Sequence, residues 1–159
     1  MAIQNIQAFS TDLDRFVRAI DDEIANARNI VAREAIERLA DASPVLTGTY
    51  IYNNRVSDSG TSDFKVTFFP RELGDQSPTR RAAKKAVFGA EMTMREILKL
   101  AGMKGSGKII VVDNLTPYAD EIELGSSKMY APSGVYRIVL SHLETVADQL
   151  IAAMPEKIF

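Results

Sequence analysis

The longest run of regularly spaced apolar residues lies near the start of the chain and has helical spacing. Ser10-Thr11-Asp12 suits a helix N-cap and Ala42-Ser43-Pro44 suits a stop, so we predict one amphipathic helix over about 11–41. Such a helix covers a core or packs against another subunit, and both roles are compatible if it overhangs a small sheet. Its apolar positions are Leu13, Phe16, Val17, Ile20, Ile24, Ala27, Val31, Ala35 and Leu39.

Two segments rich in β-forming residues come next. The first is Thr49–Val56, which follows a turn at Thr47-Gly48, and the second is Phe64–Phe69, which alternates apolar and polar residues. Asp58–Ser62 has the composition of a turn. We therefore predict a β-hairpin that ends at Pro70.

Residues 71–107 resemble a helical insertion between neighbouring strands. Ser77-Pro78 is a favourable helix start, the sequence is compatible with a helix over 79–100, and Gly102–Gly107 suits a flexible loop. Gly89 is a weak point inside this helix. The residues that supply its apolar face are Ala83, Val87, Ala90, Met94, Ile97 and Leu98.

The C-terminal third contains a short strand, a dense junction and a helix. Lys108–Asp113 is the strand, Asn114–Val135 concentrates prolines and glycines, and a helix is predicted over about 134–153, ending before Pro155. The whole pattern predicts an α+β fold in one domain, residues 1–159. A small, mostly antiparallel sheet would pack against the N-terminal and C-terminal helices, with the inserted helical segment between strands. The apolar stripe of the last helix is Val135, Val139, Leu143, Val146, Leu150 and Ala153.

Composition narrows the classes of function. Cysteine is absent, which excludes disulfides and thiolate chemistry, and no apolar run approaches the length of a membrane span. The net charge is −2, but residues 71–108 carry nine Lys or Arg against four acids, so this window is +5 and the rest of the chain is −7. One locally basic element therefore belongs to an acidic protein.

Candidate catalytic groups are few. His142 is the only histidine and lies beside an apolar helical stripe, so a structural role is favoured over a metal ligand or general base. Asp120, Glu121 and Glu123 suit a solvated face or a subunit contact better than acid–base work or Mg²⁺ binding. We predict no catalytic residue, no metal site and no cofactor. A small hydrolase that uses the 120–123 acids remains a third alternative.

Four basic residues form the strongest polar cluster. Arg80, Arg81, Lys84 and Lys85 share one broad face of the inserted helix. They suit either a solvated helix face or a sequence-independent contact with DNA phosphate. No aromatic residues alternate with them, so base stacking on single strands is not indicated. The alternative function from this cluster is a non-specific nucleic-acid-binding module.

Three short motifs occur in order along the chain, at 43–50, Asn114–Ala119 and Glu123–Ser127. Together they resemble a family, the head-to-tail joining proteins of tailed bacteriophages, also described as tail-completion or neck proteins. The segment 43–50, Ser-Pro-Val-Leu-Thr-Gly-Thr-Tyr, is similar to the family's "(S/A)PVxTGxL" segment, although Tyr50 departs from it. Asn114–Ala119 resembles the "NxxPYA" segment, and Glu123–Ser127 resembles "(E/Y)xGxS". The resemblance covers about 43–58 and 108–153, whereas the 71–107 segment is longer than in a minimal member.

The resemblance implies a structural protein of the virion neck, not an enzyme. It implies a homo-oligomeric ring, six-fold or alternatively twelve-fold, with DNA in its lumen. Expected partners are the head connector, adaptor or stopper protein on one side and the tail tube or terminator protein on the other. A basic inserted helix would line the DNA path, pack outward or grip a neighbouring subunit. The residues expected to set shape or form interfaces are Thr47, Gly48, Pro117, Tyr118, Glu123 and Gly125.

Overall fold

The computed structural model describes residues 2–58, 65–70, 77–103, 105, 107, 109–125 and 131–158. Five helices and two strands lie in these ranges, and they confirm the predicted α+β class with a long N-terminal helix, a C-terminal helix and a helical segment between the strands. In chain order the elements are α1 (Ala2–Ala42), α2 (Thr49–Tyr52), β1 (Asn54–Asp58), α3 (Pro78–Gly102), β2 (Ile110–Asn114), α4 (Ala119–Glu123) and α5 (Tyr136–Ile158).

The sheet pairs β1 with β2 in antiparallel register, from Asn54 opposite Asn114 to Asp58 opposite Ile110. The predicted hairpin is therefore wrong. Its first strand begins with the helical turn α2, and residues 65–70 form no strand. Instead, the side chain of Asn53 bonds both the N–H and the carbonyl of Thr67, at 2.9 and 2.7 Å. Part of the second predicted strand and most of the predicted turn lie outside the described residues.

The core consists of two apolar clusters on different sides of α1. Leu39 packs with residues of α4 and α5, while Ile36 packs with Val56 of β1 and Met92 of α3. One helix thus contributes to both clusters and holds the elements together. The first cluster contains Ala35, Leu39, Tyr50, Ile122, Ala131, Val135 and Val139, and the second contains Ala32, Ile36, Val56, Met92 and Leu100.

Helix α1 begins earlier than predicted and extends past the core. Ser10 and Thr11 are not N-caps, because the helix already begins at Ala2 and the Thr11 hydroxyl donates to the carbonyl of Gln7 one turn back, at 2.9 Å. Every side chain from 7 to 19 is exposed, and from residue 7 onward the first buried side chain is that of Ala32. The first half of α1 is thus an overhang whose apolar stripe is not covered by the core.

Helix α3 starts as predicted and buries a different face from the predicted apolar one. The Ser77 side chain accepts the N–H of Arg80 and Pro78 is the first helical residue, which confirms the N-cap. The side chains that α3 buries are Met92, Glu96 and Leu100. Most of the predicted apolar face is exposed, with Val87 at 56%, Met94 at 68% and Leu98 at 69%.

Helix α5 confirms the predicted C-terminal helix and its stripe. Val135, just before it, and Val139 are buried in the first cluster, with Leu143 packed against them. The expected stop at Pro155 is wrong, because the helix continues to Ile158. Proline removes the hydrogen bond to the carbonyl four residues back. That residue, Ile151, is exposed, so water can satisfy its carbonyl.

Candidate functional site

The turn between α1 and α2 carries the first motif and forces a close approach of α3. Gly48 has φ of 98°, and a Cβ there would overlap the ring of Phe88 on α3. The Thr47 hydroxyl accepts the N–H of Thr49 at 3.2 Å and donates to the Thr49 hydroxyl at 2.9 Å. Thr47 and Gly48 therefore set the direction in which the chain leaves α1.

A buried network of amides connects this turn to the rest of the fold. The Asn114 side chain donates to the carbonyl of Tyr50 at 2.8 Å and to Oδ1 of Asn54 at 2.9 Å. The same Asn54 oxygen accepts the Tyr136 hydroxyl at 3.0 Å, and Asn54 donates to the Ser43 hydroxyl at 3.1 Å. This network joins the end of α1, α2, both strands and α5. No motif predicts the role of Asn54, and its only sequence signal is an amide inside a β-forming run.

The second motif shapes the exit from β2. The Asn114 side chain also accepts the N–H and the hydroxyl of Thr116, at 3.1 and 2.8 Å, which turns the chain toward α4. Pro117 is exposed at this turn, whereas Tyr118 is half-buried with its ring centroid 6.5 Å from that of Tyr50. Burial raises the pKa of the Tyr118 hydroxyl. Tyr118 thus lies partly in the core and partly on the surface.

The third motif places a carboxylate at the start of α5. Glu123 Oε2 accepts the N–H groups of Val135 and Tyr136, each at 2.9 Å, and Oε1 accepts that of Arg137 at 2.8 Å. Burial by itself raises the pKa of Glu123, but these three bonds and the charge of Arg137 outweigh it, so the pKa lies below its usual value. Glu123 is therefore an N-terminal cap supplied by a different helix.

Two glycines with positive φ bring the Glu123 region and the start of α5 together. Gly125 has φ of 74°, and a Cβ there would overlap the carbonyl oxygen of Pro132. Gly134 has φ of 75°, and its Cβ would lie 2.7 Å from the carbonyl oxygen of Glu123. Both positions require glycine for conformation and for space. The junction is therefore a closely packed joint between α4 and α5.

The three acids of the junction lie in different surroundings. Asp120 and Glu121 are exposed, as expected of a solvated face. Glu123 differs from the expected surface group, because it is half-buried and both of its oxygens accept backbone N–H groups. The local sequence does not predict that Glu123 caps α5, because the amides that it accepts lie 12 to 14 residues further along the chain.

The basic cluster lies at the first turns of α3 and is only partly available to a polyanion. Arg80 is exposed, while Arg81, Lys84 and Lys85 are half-buried. Lys85 donates to the backbone carbonyl of Asp41, near the end of α1, where a cation also interacts favourably with the helix dipole. The six basic and two acidic residues between 78 and 102 give α3 a charge of +4.

A second charged cluster is buried under α3 and escapes prediction from the sequence. Glu96 is fully buried and accepts the N–H of Val56 at 2.8 Å. It pairs with Arg55 and Lys99, each at 3.2 Å, and with Arg95. The Glu96 carboxylate is compatible with burial only while its cationic partners are present, because removal of a partner leaves an uncompensated buried charge. The sequence signal is an acid that shares a helical face with Met92 and Leu100.

His142 and the remaining acids do not suggest a metal centre. The Nε2 atom of His142 lies 3.0 Å from Oε1 of Glu34, which also pairs with Arg38 at 2.9 Å. The pKa of Glu34 is lowered, first by Arg38 and then by His142. In the described part of the chain no three His, Cys, Asp or Glu residues are grouped to hold a metal ion. None of the helices described has the length and apolarity to cross a membrane.

Comparison with family models, with curated proteins and with solved structures finds no match. The likeness to neck proteins therefore remains a prediction from three motifs. The geometry adds that the described parts of all three motifs belong to one joint, which orients α2, α4 and α5 around the strand pair; Ser126 and Ser127 of the third motif lie outside the described residues. Most of the joint's hydrogen-bonded residues determine shape, Leu115 and Leu124 are exposed beside them, and longer exposed apolar stripes lie on α1 and α3.

Proposed function

We propose that this protein is a non-enzymatic structural subunit of a tailed-bacteriophage neck, which forms a homo-oligomeric ring between the head connector and the tail tube. The observation that carries the proposal is the overhang of α1. Its residues 7 to 19 are all exposed and include Phe9 at 69%, Leu13 at 49% and Val17 at 49% exposure. An isolated amphipathic helix of this length is marginal in water, so a partner that covers the stripe would stabilise it.

Exposed apolar residues around the joint also support the proposal. Leu115, Pro117 and Leu124 are exposed around it, with Leu124 at 80%. Apolar side chains at a rigid junction suit docking to a connector or tail protein. The Glu123 carboxylate is committed to the cap of α5, which favours a structural role over acid–base chemistry.

The ring is tested by the mass of the purified full chain. One chain is 17.5 kDa, so six copies give about 105 kDa and twelve give about 210 kDa, values that static light scattering after size exclusion separates. A closed species of either mass is the expected result, and negative-stain images should show a central hole. A chain that stays strictly monomeric as its concentration is raised to about 100 μM would contradict the proposal, because mass action favours the assembled form.

The second candidate function is sequence-independent DNA binding by α3, which its charge of +4 and the exposed Arg80 favour. In that case the monomer should bind a random duplex with an affinity that falls steeply with salt. The expected loss from Arg80→Glu together with Arg81→Glu is then at least tenfold at 50 mM salt. A monomer that ignores DNA while the chain forms closed rings removes this alternative.

A further inference from the structure

Helix α3 has two apolar faces, and only one of them is packed. At about 100° per residue, Met92 and Met94 lie on nearly opposite sides of the helix. Met92 is fully buried against the core, whereas Met94 is 68% exposed. The exposed side forms what we call the α3 stripe, and it borders a groove of about 850 Å³ between α3 and the second half of α1. The α3 stripe consists of Ala83, Val87, Ala90, Met94 and Leu98.

The overhang of α1 carries a stripe of the same length. It spans 16 residues, from Phe9 to Ile24, as the α3 stripe does from Ala83 to Leu98, so each is about 22 Å long. The two stripes therefore match in extent along their helices. The α1 stripe consists of Phe9, Leu13, Val17, Ile20 and Ile24.

The spacings of the two stripes match in the antiparallel direction. Along α1 the intervals are four, four, three and four residues, and the α3 stripe has the same intervals when it is followed from Leu98 back to Ala83. In this register Phe9 lies opposite Leu98, Val17 opposite Ala90, and Ile24 opposite Ala83. A parallel register matches equally well when Phe16, which is 37% exposed, takes the place of Val17, so spacing does not fix the direction and charge must decide it.

Charge favours the antiparallel register. The overhang carries five acids and two arginines between 12 and 23, a net charge of −3, whereas α3 is +4. Next to Ile24 stand three consecutive acids, Asp21-Asp22-Glu23, and next to Ala83 stand Arg80, Arg81 and Lys84. The antiparallel register brings these two groups to the same end of the contact.

We propose that the α1 overhang of one copy docks antiparallel on the α3 stripe of the next copy, and that this contact closes the ring. The inference rests on the proposed function, since it names the interface by which the subunits associate. The contact is heterologous, because each copy offers a donor stripe on α1 and an acceptor stripe on α3. It also places Arg80 and Arg81 at a subunit boundary and not on the DNA path.

Complementation between two defective variants tests the contact. Val17→Asp puts a charge in the donor stripe and Met94→Asp puts one in the acceptor stripe, both at exposed positions that the monomer's core does not use. Each variant alone should be monomeric. Mixed in equal amounts, they retain one intact donor and one intact acceptor, so they should form a 1:1 dimer of about 35 kDa and nothing larger.

A matched control and thermal unfolding make the complementation decisive. Asn26→Asp adds the same charge to the polar side of α1, and this variant should assemble like the wild type. Rings that persist in Val17→Asp and Met94→Asp would overturn the proposed contact and leave the ring itself standing. Variants that lose thermal stability as monomers would show that the chain covers its own stripe, which also overturns the contact. A wild-type chain that stays monomeric would overturn both the proposed ring and the proposed contact.

Charge exchange tests the register. Asp21→Lys with Asp22→Lys should weaken assembly at least tenfold, and adding Arg80→Glu with Arg81→Glu to the same chain should restore most of it. Asp12→Lys with Asp14→Lys serves as the control pair, because these acids lie at the far end of the antiparallel contact. Rescue of the control pair by the glutamates, or failure to rescue the first pair, would overturn the antiparallel register. Open filaments from the wild type would support the contact and contradict the closed ring.

Discussion

The cap of α5 gives a prediction that follows from geometry and has a defined pH dependence. Glu123 accepts three backbone N–H groups at 2.8 to 2.9 Å at the positive end of a 23-residue helix. Losing a cap costs about 0.5–2 kcal/mol, and a partly buried charge at a helix end adds up to about 2 kcal/mol. We therefore expect Glu123→Ala to lower the free energy of unfolding by about 2–3 kcal/mol and Glu123→Gln by about 1–2 kcal/mol.

The glutamine variant is the sharper one because it keeps the shape and removes the charge. Its amide oxygen still accepts, while its NH₂ group faces an N–H that then has no acceptor. A loss of about 2 kcal/mol corresponds to a fall in Tm of about 4–8 °C for a domain of this size. Glu121→Gln on the same short helix is the control and should change the free energy of unfolding by less than about 0.5 kcal/mol, because Glu121 is exposed.

The pH dependence separates charge from shape. The folded pKa of Glu123 is below its usual value near 4.5, so the carboxylate's contribution is fully present above that value and is lost as the pH falls through the lower folded pKa. Urea unfolding at pH 7, 5, 4 and 3 should show a wild-type advantage over Glu123→Gln that is constant down to about pH 5 and shrinks below it. An advantage that is unchanged at pH 3, or absent at pH 7, would refute the cap.

Three further predictions concern stability. Gly48→Ala should lower the free energy of unfolding, measured by urea titration, by at least about 2 kcal/mol, because Gly48 has a φ of 98° and a Cβ there overlaps an aromatic ring. Gly102→Ala is the control and should be neutral or stabilising, because the space around Gly102 is open. Tyr136→Phe should lose about 1–2 kcal/mol with its 3.0 Å hydrogen bond, but Tyr50→Phe should be neutral or stabilising, since its buried hydroxyl has no hydrogen-bond partner among the described residues. Glu96→Gln should cost about 3–5 kcal/mol by thermal unfolding, because it leaves buried cations without their carboxylate.

The sequence predicts well where local and long-range preferences agree. The stripe of α5, Ala35 and Leu39 of α1, and the Ser77-Pro78 start of α3 lie where periodicity and capping indicate, whereas Ala32 and Ile36 of α1 enter the core outside the predicted stripe. It fails at Thr49–Tyr52, where four β-forming residues adopt a helical turn. The left-handed Gly48 before them and the buried amide of Asn53 after them fix that turn, and both depend on distant partners. The β propensity of these four residues therefore does not predict the helical turn.

The orientation of α3 could not be predicted from its sequence. Periodicity identifies an apolar face but cannot tell whether the face meets the core or another molecule. The face with Val87, Met94 and Leu98 is the more apolar one, yet the core receives the face with Glu96, whose charge is matched by neighbouring cations. An apolar stripe that the fold leaves exposed is more informative about assembly than one that the fold buries.

Whether a residue is packed in the fold or exposed in a stripe decides how a variant that fails to assemble is to be interpreted. Joint residues such as Tyr118 and Gly125 contact the core or pack tightly, so their substitution should lower monomer stability together with ring formation. Residues of the two stripes, such as Val17 and Met94, are exposed, so their substitution should abolish assembly at unchanged monomer stability. Loss of the ring alone therefore does not identify a contact. Only a variant that loses the ring while its unfolding curve matches that of the wild type assigns a residue to the interface.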